Sequence, residues 1–120
     1  MPTLDRAAEL KSRTKSYAIR IVRLYRSLSR STDAQVLGKQ LLRSGTSVAA
    51  NYRAACRSRS KAEFISKMSV VLEEADESAF WLELMAETST LPSARMQDLL
   101  KETNELAAIF GASIRTAKGI

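Results

Sequence analysis

The chain has 120 residues, with 19 Lys and Arg against 13 Asp and Glu, no His, one Cys, four Gly and two Pro. That length suits one domain over residues 1–120, the 45% apolar content supplies one core, and so few Gly and Pro exclude an all-β fold built on many tight turns. Without His there is no imidazole base or metal ligand, and a lone Cys56 closes no internal disulfide and builds no cysteine zinc site.

Charges recur throughout the first 30 residues, and no apolar run approaches the ~18 residues of a spanning helix, so a soluble cytoplasmic domain without membrane contact is expected. The net charge of +6 is unevenly spread. Residues 1–59 hold 13 basic and 3 acidic groups, whereas residues 60–120 hold 6 basic and 10 acidic ones. Such a split suits either a surface for an acidic partner or two halves with complementary fields.

The first helix is predicted over 5–29, where Leu10, Thr14, Tyr17, Ile21, Leu24 and Leu28 alternate at spacings of four and three. Arg6, Arg13 and Arg20 fall on one flank of this seam, Lys11 and Lys15 near the other, and Arg23, Arg26 and Arg30 on the outer side. Thr32 and Gln35 read as a capping box opening a second helix over 33–57. Gly38, Gly45, Thr46, Ser47 and Asn51 make that helix intrinsically poor, so tertiary packing must favour them.

Ser60 and Glu63 read as a second capping box, before a third helix over 61–88 whose outer side is acidic. Phe80 and Trp81 are adjacent, so one of them belongs at an edge that a second subunit can cover. Pro92 suits the first turn of a fourth helix over 92–117. Four helices of similar length with short connections predict an all-α, antiparallel up-down-up-down four-helix bundle.

Three stretches carry a family resemblance. The run Gly38-Lys39-Gln40-Leu41-Leu42-Arg43-Ser44-Gly45-Thr46-Ser47-Val48-Ala49-Ala50-Asn51-Tyr52-Arg53, followed by Ser60 to Met68 and by Glu74 to Met85, resembles the signature blocks of the 23S ribosomal RNA intervening-sequence proteins. Where many members carry an acidic residue soon after the Asn-Tyr pair, this chain has Ala54 and Ala55. The resemblance implies a four-helix bundle with no established catalytic activity. The family is in turn similar to the accessory variability determinant of diversity-generating retroelements, a pentameric barrel-like bundle that binds nucleic acid and a reverse transcriptase. A pentamer and a nucleic-acid role are therefore expectations by analogy.

The candidate nucleic-acid-binding residues are Arg6, Arg13, Arg20, Arg23, Arg26, Arg30, Arg43, Arg53, Arg57 and Arg59, because guanidinium forks suit phosphate oxygens and each neutralised phosphate releases counterions. Their competing assignment is a solvated face with ion pairs to the third helix. Ser44, Ser47 and Asn51 share one stripe with Tyr52 nearby and are expected to form a buried network, with Glu74 or Glu77 as candidate partners, at a helix or subunit contact. A serine nucleophile would have only Lys39 or Lys67 as a base, so no enzyme and no cofactor are expected. The alternative function is a protein-interaction scaffold or accessory subunit for a partner such as a reverse transcriptase.

Overall fold

The computed structural model describes residues 2–120. Four helices make up the fold: α1 over Leu4–Arg26, α2 over Thr32–Ala55, α3 over Lys61–Glu87 and α4 over Ser93–Lys118. They form an all-α antiparallel bundle of 45 × 22 × 20 Å, with no strand among the described residues. The expected seams become the core. Leu10, Tyr17, Ile21 and Leu24 of α1 meet Leu41, Val48 and Tyr52 of α2, Phe64, Met68, Val71 and Leu82 of α3, and Met96, Leu106 and Phe110 of α4. Tyr52 stacks on Phe110 with ring centroids 5.8 Å apart.

Several boundaries differ from the sequence reading, for local reasons. α1 stops at Arg26, three residues early, because Ser27 caps it by donating its hydroxyl to the Leu24 carbonyl; Leu28 stays buried although it lies beyond the helix. The Thr32–Gln35 capping box does not form. Ser31 takes the cap position, and Gln35 instead straps the connection: its amide donates to the Ser29 carbonyl and its carbonyl accepts from Tyr25 Oη. α2 ends at Ala55 instead of residue 57, and Pro92 is the cap of α4 instead of its first residue. Ser60 does cap α3, accepting from the Glu63 amide at 3.0 Å.

The two glycines of α2 are explained by α1. A Cβ on Gly45 would lie 2.8 Å from Ile21 Cγ1, and one on Gly38 would run into Leu28 Cδ1 and Tyr25. The two glycines therefore set how closely α1 approaches α2.

Candidate nucleic-acid interface

Each flank of α1 meets a different neighbour. On the α4 side, Arg13 grips Glu102 side-on, with Nε donating at 2.9 Å and Nη2 at 2.7 Å, and it also lies 3.4 Å from Glu105. This fork holds the Glu102 carboxyl below the usual carboxylate range, and Glu102 in turn raises Arg13. Beneath the pair, Tyr17 donates its hydroxyl to Thr103 Oγ1 at 2.6 Å, while Thr103 donates to the Leu99 carbonyl; burial pushes the Tyr17 phenol up.

On the α2 side of α1 the arrangement is different. Lys11 and Lys15 of α1, Arg53 of α2 and Arg57 just beyond its end line a groove of about 570 Å³ floored by Thr46, Ala49 and Ala50. No carboxylate lines it. At Lys15 it meets a second depression, of about 340 Å³, which Ile19, Val22, Arg23 and Arg26 continue along α1. The small floor residues keep the basin open, and the helices carry the cations in fixed register. None of these six cations has a carboxylate within ion-pair distance among the described residues. Such a concentration of one sign of charge gives the surface a positive field.

The ten arginines singled out from sequence are thus divided by the fold. Arg53 and Arg57 line the α1–α2 groove, and Arg23 and Arg26 line the depression on α1 that adjoins it. Arg20 faces α4 in a further cavity of about 260 Å³ with Arg95 and Asp98, which Arg23 also lines. Arg6 lies at the far end of the bundle beside Phe64 and the end of α4, and Arg30 sits in the exposed α1–α2 connection. Arg13, Arg43 and Arg59 are engaged by carboxylates. Lys11 and Lys15, which the sequence reading left without a role, are central to the groove. The available signal was their i, i+4 spacing on the flank opposite Arg13, facing the small residues Thr46, Ala49 and Ala50.

The expected Ser44–Ser47–Asn51 network is split as well. Ser44 is fully buried and hydrogen-bonded to Ser78 Oγ at 2.8 Å. Ser47 and Asn51 are half-buried, and Asn51 donates to the Ser47 carbonyl and hydroxyl on its own helix. Glu74 and Glu77 do not join them, because Arg43 binds both carboxylates. Glu77 also accepts from Trp81 Nε1 at 3.1 Å. Trp81 is held against the bundle by that bond, so Phe80, 52% exposed, is the member of the aromatic pair at the edge. The Tyr52 hydroxyl is buried without a hydrogen-bond partner among the described residues.

Fold and surface together define an antiparallel four-helix bundle with an uncompensated basic groove between its first two helices. The chain belongs to the 23S rRNA-intervening sequence protein family, whose sequence model matches residues 6–112. It is similar, at 35% identity and a TM-score of 0.82, to the crystal structure of a protein of unknown function from the S23 ribosomal protein family of Bacteroides thetaiotaomicron, over 88% of this chain and 97% of that one. No curated protein matches the sequence. No helix among the described residues is long and apolar enough to cross a membrane.

Proposed function

We propose that the protein is a non-catalytic binder of RNA or DNA that captures the phosphate backbone in the α1–α2 groove. The observation carrying this reading is the row of Lys11, Lys15, Arg53 and Arg57, prolonged by Arg23 and Arg26, with no carboxylate among the lining residues. Capture is electrostatic: bound phosphates replace condensed counterions, and their release favours binding at low salt. Arg6, Arg20 and Arg30 extend the positive surface beyond the groove, whereas Arg13 and Arg43 are paired across helix seams and Arg59 has a local carboxylate partner in Glu63. Binding to labelled RNA and DNA at increasing salt tests the reading. Log affinity is expected to fall linearly with log salt with a slope of about −4 to −5 for five or so phosphates. Absence of binding at low salt, or a flat salt response, contradicts it.

The proposal includes self-association and a cytoplasmic setting. The half-exposed Phe80 and Val70 on acidic α3 support a subunit contact, and the family's likeness to the accessory variability determinant suggests a ring of five. Light-scattering mass at high concentration is expected to exceed the monomer's 13.3 kDa. The same α3 surface supports the second reading, an accessory subunit that docks a partner such as a reverse transcriptase. Retention of a protein partner after nuclease treatment, lost on Phe80→Asp, favours that alternative.

A further inference from the structure

Resting on the groove as the nucleic-acid site, we infer that its ligand is a double helix and not a single strand: the groove seats one phosphodiester strand of a duplex as a ridge and reads its charge and shape. Single-strand sites compensate unpaired bases by stacking them on aromatic side chains. This groove has none to offer. Of the seven aromatic residues, Tyr17, Tyr52, Phe64 and Phe110 are buried in the core. Tyr25 is half-buried with its hydroxyl bound to Gln35, and Phe80 and Trp81 stand on α3, which contributes nothing to the groove.

The amide and carboxylate side chains that read adenine and cytosine edges are missing too. No Asn, Gln, Asp or Glu lines either depression, and the Thr46 hydroxyl is spent on the Leu42 carbonyl at 2.7 Å. What remains is charge on a rigid track. Lys11 to Arg26 spans about 22 Å of helix at ~1.5 Å per residue. A duplex carries one phosphate per ~3.4 Å of axis on each strand, so about six phosphates face that length, against six groove cations. Apart from Arg57, just beyond α2, every lining residue stands on a helix, so no long loop is available to wrap around splayed bases. A duplex needs no such wrapping, because its bases are already stacked and its charge density is higher.

The test is fluorescence anisotropy with one labelled strand of about 20 nucleotides, alone and annealed to its complement, in RNA and DNA versions, at matched salt. That length exceeds the ~22 Å track. The annealed probe is expected to bind at least tenfold more tightly, well beyond the twofold that doubling the phosphates supplies. Lys15→Gln/Arg53→Gln, both exposed positions, is expected to erase the preference while leaving the helical circular-dichroism signal unchanged. Equal or tighter binding of the single strand, still lost in the double variant, overturns the duplex inference and leaves the groove as the site. Binding that the variant does not weaken, or no binding of either probe, overturns the groove reading and this inference with it.

Discussion

The α1–α4 seam and the α1–α2 groove share a cation-rich helix and end in opposite electrostatic states. At the seam, α4 presents Glu102 and Glu105 to Arg13, and the guanidinium is used up in a two-bond fork. In the groove, α2 turns Thr46, Ala49 and Ala50 toward α1, with Arg53 and Arg57 beside them, and no acid. The α2–α3 seam repeats the first pattern, with Arg43 held by Glu74 and Glu77. Whether a cation on this protein is free for a ligand is therefore decided by the helix facing it. The charge of its own segment does not decide it.

The largest expected disturbance is to the spacing of the groove walls. Gly45→Val drives a branched side chain into Ile21 and is expected to cost about 2–3 kcal/mol of unfolding free energy in urea titration, weakening nucleic-acid binding as the walls separate. An unchanged urea midpoint would show that α1 can move away freely. Next comes the charge of the groove itself. Lys15→Gln/Arg53→Gln/Arg57→Gln is expected to lower affinity at least tenfold, about 1.4 kcal/mol, with stability unchanged within ~0.5 kcal/mol.

Arg13→Gln should do the reverse. Losing the fork to a half-buried carboxylate is expected to lower stability by about 1 kcal/mol while affinity stays within about twofold. The seam carries the smallest effect as a pH signature. Because Arg13 depresses the folded-state titration of Glu102, the pair's stabilisation is complete above the unfolded carboxyl range and is lost as pH falls through the lowered folded value. The melting-temperature gap between the wild type and Arg13→Gln is therefore expected to be widest near pH 7 and to close in acid below the ordinary carboxyl range, as Glu102 protonates. A gap that is constant with pH would assign the loss to packing of the Arg13 stem.

Much of the fold was legible because the apolar spacing is dense. The α1 residues Leu10, Thr14, Tyr17, Ile21 and Leu24 are all buried as their period requires. The glycines of α2 also signalled a close neighbour, which proved to be Ile21 and Leu28 of α1. The site was less legible, since periodicity assigns a flank to each residue without saying which helix covers it. Arg13 and Glu102 are 89 positions apart, and Arg43 and Glu74 are 31 apart, so nothing local marks either pair. The same blindness hid Lys11 and Lys15, whose importance depends on small residues of α2 lying opposite them. The Thr32–Gln35 box failed for a related reason: a tertiary contact with Tyr25 outcompeted a local one.

The most direct test is the salt dependence of nucleic-acid affinity measured side by side for the wild type, Lys15→Gln/Arg53→Gln/Arg57→Gln and Arg13→Gln/Arg43→Gln. Removing three free groove cations should reduce the log–log slope by about 2–3, and removing two paired seam arginines should leave it unchanged. Equal slopes for the wild type and the groove variant, or a loss confined to the seam variant, would contradict the assignment of the α1–α2 groove as the phosphate-binding surface.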